Sequence, residues 1–167
     1  MVVDDPELIA DLKRRGYGRE QDGSLVLEPW EALYLVEKGR IEVSHPATGR
    51  PLSFQELLDL LSQADGWLWA RYLIYRDLRE RGYVVKGGFG LGLDFRLYDR
   101  GDYGRKPARY LVYGVLEGVP LEVRALEELL GKALSGKKEL ILAVVDRRGE
   151  VVYYSLSSWS RRGKRGT

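Results

Sequence analysis

Polar and apolar positions divide this 167-residue chain near Gly66 into a short mixed module and a longer, β-rich one. In the first, Leu25-Val26-Leu27 reads as a short strand. Glu28-Pro29 then opens a helix from Trp30 to Lys38, with Trp30, Leu33 and Tyr34 at helical spacing. Gly39 suits the end of that helix. Ile41-Glu42-Val43 alternates as a strand, and His45 to Gly49 is a loop by its Pro and Gly. Ser53-Phe54-Gln55-Glu56 is a capping box, which starts a helix from Phe54 to Ser62. A second helix, Trp67 to Arg81, carries an apolar stripe of Leu68, Trp69, Tyr72, Leu73 and Tyr75, on which Arg76 and Arg79 intrude.

Beyond Gly82 the period shortens to two. Tyr83 to Lys86 is a strand. Leu93 to Tyr98 alternates strictly, so Leu93, Phe95 and Leu97 share one face and Asp94, Arg96 and Tyr98 the other. Asp99 to Pro107 is a polar loop, and Arg109 to Leu116 is a strand. Val123 to Leu134 is a helix with Leu126, Leu129 and Leu130 on one face. Glu139 to Val145 and Glu150 to Leu156 form a hairpin closed by Asp146-Arg147-Arg148-Gly149. The expected fold is α+β: a small mixed N-terminal module (1–66), a C-terminal module with a mixed or antiparallel sheet (67–160), and a basic tail (161–167).

Composition narrows the function classes. There is no Cys and one His, His45, so disulfides, thiolate metal sites and a His-based zinc site are not expected. No apolar run approaches the roughly 20 residues that span a bilayer, and MVVDDPELIADLK has no signal-peptide core, so no membrane association is expected and the cytoplasm is the expected compartment. The chain has no Asn, three Gln and 31% charged residues. That is a hyperthermophile pattern, which a GC-rich genome also produces. The net charge of +2 does not announce nucleic-acid binding. The tail Arg161-Arg162-Gly163-Lys164-Arg165 suits phosphate neutralisation, or simply solvation.

Few motifs carry chemistry on their own. Gly87 to Gly92, GGFGLG, lacks the following helix that a pyrophosphate site needs, so bulges or close backbone approach explain it better. Tyr98 is a rim residue or a proton-transfer group. Lys137 and Lys138 are a solvated pair at a strand end, or one of them meets a ligand.

Several segments, in order, resemble the archaeal tRNA-intron (splicing) endonuclease family: Gly16-Tyr17-Gly18, Glu28 to Val43, Arg71 to Gly88, Leu93 to Gly101, Arg109 to Val115 and Lys137 to Tyr154. The resemblance implies metal-free RNA cleavage without a cofactor. A Tyr takes the 2′-hydroxyl proton, a His protonates the leaving 5′-oxygen and a Lys stabilises the phosphate. The Tyr position falls on Tyr98 and the Lys position on Lys138. The His position falls on Pro107, in KPAR, which has no proton to give. Lys106 is a poor substitute at an ordinary pKa of about 10.4. An Arg seven residues before the Lys is replaced by Gly131.

These departures imply a structural subunit that positions a catalytic partner, two plus two, on precursor tRNA. Val151, Val152, Tyr153 and Tyr154 are the expected inter-subunit strand. Asp146 and Glu150 match the family's acidic docking loop, diluted by Arg147 and Arg148. Lys137, Lys138, Arg161 and Arg162 are the candidate RNA contacts. An active endonuclease with a substitute acid and a stand-alone RNA-binding protein are the alternatives.

Overall fold

The computed structural model describes residues 1–88 and 94–159. A three-stranded antiparallel sheet, β1 (Val2–Val3), β2 (Arg19–Gln21) and β3 (Ser24–Val26), is ordered β1-β3-β2. Between β1 and β2 runs α1 (Pro6–Arg14), begun by the Asp5 carboxylate, which accepts from the N–H groups of Glu7 and Leu8. Then come α2 (Pro29–Glu37), α3 (Phe54–Ser62) and α4 (Leu68–Glu80). The capping box at α3 forms as expected: Ser53 Oγ accepts from Glu56 N, and the Glu56 carboxylate accepts from Ser53 N. The strand expected over Ile41 to Val43 does not form. Ser44 and Pro51 make one isolated bridge, and the chain folds back through His45 N to Arg50 O at 2.8 Å. Leu52 N donates to Val43 O at 2.8 Å, and the chain then enters α3 at its N-cap Ser53, so the pairing does not extend as a ladder.

The second sheet contains β4 (Val84–Gly87), β5 (Asp94–Tyr98), β6 (Tyr110–Leu116), β7 (Glu139–Val145) and β8 (Val151–Leu156), in that spatial order. All neighbours are antiparallel except β6 and β7, which run parallel because α5 (Val123–Ser135) makes the crossover between them. This is the expected α+β architecture, with the sheet mixed. One face, including Val85, Phe95, Leu97, Val112, Ala143 and Val145, packs against Leu73, Ile74, Tyr75 and Leu78 of α4 in a single core. On the other face α5 covers one end through Leu129 and Ala133 against Leu111 and Leu140. Val152 and Tyr154 on that face stay 49% and 56% exposed.

Two details of α4 depart from its apolar pattern. Trp69 is 46% exposed, and Ala70, Ile74 and Leu78 are buried in the helix instead. The two arginines lie on aromatic rings. The Arg76 guanidinium stands 5.5 Å from the Tyr72 ring centre and 3.4 Å from Glu37. That of Arg79 stands 4.0 Å from the Tyr17 ring centre and donates to Arg15 O. A planar cation can share an aromatic stripe in this way without being stranded in the core.

A buried ion pair joins the two modules. Glu31, 2% exposed on α2, accepts from Gly18 N at 3.1 Å and Glu28 N at 2.9 Å. Lys86, on β4, lies 3.6 Å from Glu31 and donates to Gly16 O at 3.0 Å and Gly18 O at 2.7 Å. Burial pushes the Glu31 carboxyl above its usual range, against the pull of Lys86 and the amides. Burial likewise lowers Lys86. Gly16 and Gly18 are required here. Both have φ near +70°, and a Cβ would stand 2.6 Å from Val84 in one case and 2.6 Å from Leu25 in the other.

Candidate functional site

The sheet brings three sequence-distant segments to one end. β5 finishes at Tyr98, β6 starts at Tyr110 opposite Leu97, and β7 starts at Glu139 beside Tyr110. Arg109 ties the three together, 3.3 Å from Asp99 and 3.6 Å from Glu139. Lys138 precedes β7, and its ammonium donates to Ala108 O at 2.7 Å, immediately after Pro107. Tyr98 is half-buried at the end of β5, its ring edge-on to Tyr103 with centres 5.0 Å apart. Tyr98 and Lys138 are thus separated by the width of β6, about 10 Å at two strand spacings. Tyr98, Pro107 and Lys138 therefore share one end of the sheet.

The loop from Asp99 to Pro107 is tightly turned. Asp102 N donates to Asp99 O, and Arg105 N and Lys106 N both donate to Asp102 O. Lys106 is held by the Asp102 carboxylate at 3.0 Å, which turns it to its own loop. Pro107 is exposed. His45 sits in the turn of the N-terminal module, where its Nδ1 accepts from Ala47 N at 3.2 Å. Among the described residues no group of three or more His, Cys, Asp or Glu side chains could hold a metal ion.

The end of α5 shapes the approach to Lys138. Lys137 N donates to Leu134 O and Lys138 N to Ala133 O, the Schellman pattern, with Lys137 at φ +54° where a glycine is usual. Arg100, Arg105 and Lys137 are exposed at this end and make no ion pair among the described residues. Gly131, inside α5, is exposed with open space where a side chain would stand.

The other expected positions lie elsewhere. β8 is the sheet edge, and Val151 and Tyr153 face the core. The Tyr153 hydroxyl donates to Asp77 at 2.7 Å, and burial raises its pKa. Asp146 turns its carboxylate onto its own hairpin loop, accepting from Arg148 N at 2.8 Å and Glu150 N at 2.9 Å; Glu150 is exposed. A strand, β5, follows the glycine-rich stretch, as expected; residues 89–93, and with them most of that stretch and Leu93, lie outside the described residues. So do Arg161 and Arg162.

Sequence reasoning missed Glu31, Lys86 and Tyr103. The first two left a signal: each is a lone charge in an otherwise apolar segment, PWEALYL and YVVKGG, which is how a buried pair looks in a sequence.

Comparison with known proteins bears on this arrangement. The family model described as the tRNA intron endonuclease N-terminal domain matches residues 1–58, and that described as its catalytic C-terminal domain matches residues 68–153. A protein of Methanococcus maripaludis named tRNA-splicing endonuclease is 40% identical over 156 residues, 93% of this chain and 88% of its own length. One of Methanopyrus kandleri with the same name is 40% identical over 152 residues, 90% and 84% of the two chains. One of Methanosarcina mazei is 34% identical over 165 residues, 98% of this chain but 45% of the longer protein.

Proposed function

The chain belongs to the tRNA intron endonuclease family, and from that premise we propose that it is the non-catalytic subunit of a splicing endonuclease. One observation carries this reading: at the sheet end where Tyr98 and Lys138 stand, the third position is the exposed Pro107. Cleavage by 2′-hydroxyl attack needs a proton delivered to the departing 5′-oxygen. Proline has none, the neighbouring Lys106 is bonded to Asp102, and His45 is held in the N-terminal turn. The bare Gly131 fits the same reading, because nothing projects from α5 there to hold RNA.

In this reading the protein works through assembly in the cytoplasm, with residues 1–66 and 67–160 as its two modules. Its β8 edge pairs with a catalytic partner, and the exposed Val152 and Tyr154 extend that contact over the uncovered sheet face. Asp146 is engaged within its own turn and flanked by Arg147 and Arg148, so the acidic docking loop comes from the partner. Lys137, Lys138 and the basic tail help hold a precursor tRNA, which the partner cuts at the bulge-helix-bulge to 2′,3′-cyclic phosphate and 5′-hydroxyl ends.

The test is cleavage of a bulge-helix-bulge RNA by the chain alone and by the chain mixed with a paralogue that carries His at the position of Pro107. The expected result is no cutting alone, cutting by the mixture, and no loss when Tyr98→Phe is introduced into this chain. Cutting by the chain alone overturns the reading. Loss of the mixture's activity with Tyr98→Phe assigns this site a direct part in catalysis, and failure to associate with the paralogue leaves a stand-alone RNA-binding protein.

A further inference from the structure

The loop between β5 and β6 holds an aromatic ring that neither the core nor the assembly accounts for. Tyr103 is 37% exposed, although it is fixed from three sides. Its ring is edge-on to Tyr98 at an interplanar angle of 81°. Its Cδ1 lies 3.4 Å from where a Cβ on Gly16 would be, so the ring packs closely over that glycine. The Lys86 ammonium stands 5.4 Å from its centre, itself anchored on Gly16 O and Gly18 O. The loop beneath is braced by Asp102 N to Asp99 O, by Lys106 with Asp102, and by Arg109 with Asp99. A large ring held this firmly loses little freedom on meeting a ligand, which is what makes it an effective contact.

The surroundings name the chemistry. Arg100 and Arg105 flank the ring in sequence, and Lys137 and Lys138 stand at the same end of the sheet. A fixed aromatic face with Arg100 and Arg105 in its own loop matches an unpaired nucleotide: the base stacks on the ring while the cations neutralise its phosphates. Unstacked bulge nucleotides present such bases, whereas paired ones keep theirs inside the helix.

The geometry points to Tyr103 as a stacking platform for an unpaired nucleobase of the RNA, beside Tyr98. This rests on reading this end of the sheet as the face that meets RNA. Tyr103 thereby discriminates bulged from fully paired RNA, and it does so through its ring rather than its hydroxyl.

The experiment compares the full chain bound to a hairpin carrying a three-nucleotide bulge with the fully paired hairpin, by fluorescence anisotropy. A 2-aminopurine in the bulge reports stacking directly. The wild type is expected to prefer the bulged RNA and to quench the 2-aminopurine. Tyr103→Ala should bind bulged RNA about 5- to 150-fold more weakly, the range for one lost base–aromatic stack. Its affinity for paired RNA and its salt slope should not move. Tyr103→Phe should keep preference and quenching. Tyr103→Leu, which keeps bulk against Gly16 and guards against a collapsed loop, should behave like Tyr103→Ala.

Wild-type behaviour from Tyr103→Leu, or an equal loss on both RNAs, overturns the inference. If wild type binds neither RNA, the RNA-facing reading falls with it. If wild type prefers the bulge and supports cutting by its partner while Tyr103→Ala changes neither, only the platform falls.

Discussion

Replacing Lys86 by Met removes the cation that joins the two modules while keeping most of its volume. Lys86 is 14% exposed at its side chain, so water does little to replace what is lost. The change leaves Glu31, 2% exposed, without its counter-charge, and strips donors from Gly16 O and Gly18 O. Breaking a buried pair from one side costs about 3–5 kcal/mol. Glu31 keeps the Gly18 and Glu28 amides, which places the cost near the lower end, about 3 kcal/mol. For a chain of this size that lowers Tm by about 6–12 °C.

Proton binding provides a second signature. The Glu31 carboxyl is raised above 4.5 in the folded protein, so above that pH the folded state holds the proton more tightly than the unfolded chain, and stability falls as pH rises. Removing Lys86 strengthens that upward shift. The variant's deficit should therefore be largest at neutral pH and shrink as the pH is lowered toward 4.5. Urea unfolding followed by circular dichroism at pH 7 and pH 5 measures both. Adding Glu31→Gln should recover at least about 1 kcal/mol relative to the sum of the single changes. A loss below about 1 kcal/mol at pH 7, or a deficit that grows on acidification, would refute the buried-pair account.

Lys137→Gly relieves a left-handed residue costing about 1–2 kcal/mol, offset by about 0.4–1 from the freer unfolded chain. It should stabilise by about 0.5–1 kcal/mol in thermal unfolding while weakening RNA binding and reducing the salt slope by about 0.7–0.9. Gly131→Ala fills open space inside α5 and should add about 0.5–1 kcal/mol by the same measurement. The Arg50 guanidinium and the Ser53 cap hold the Glu56 carboxyl down to about 2. Its stabilising contribution is present above 4.5 and lost as pH falls from there toward 2, so acid titration of Glu56→Gln should be flatter than wild type in that window.

What could be read from the sequence was local. The α3 capping box lies within four residues and formed as written, and the period-two strands near Phe95 and Leu97 folded with those faces inward. What escaped depends on distant partners. Glu31 and Lys86 are 55 positions apart, and nothing in either segment names the other. Ile41 to Val43 has a strand's pattern, but the segment that meets it leaves for α3 at Ser53, one residue after Leu52 N bonds Val43 O. β1 is two residues long and exists only because β3 receives it. At the candidate site, Tyr98 and Lys138 could each be suspected. Their common location follows from the parallel β6–β7 pairing, and the anchoring of Lys138 on Ala108 O from the loop between β5 and β6.

That loop has an evolutionary consequence. The β5–β6 ladder begins with Arg109 N donating to Leu97 O, two residues after Pro107, and Pro107 itself is exposed. The position thus contributes neither a ladder bond nor core volume. In the reading proposed above, a mutation there silences or restores proton donation while altering stability by at most about 1 kcal/mol, through the unfolded chain. A gene copy could drift from cutter to scaffold in one codon change and still fold and meet its partner. On that reading, division of labour between duplicated chains is inexpensive, because the proposed proton donor would occupy a residue the framework does not use.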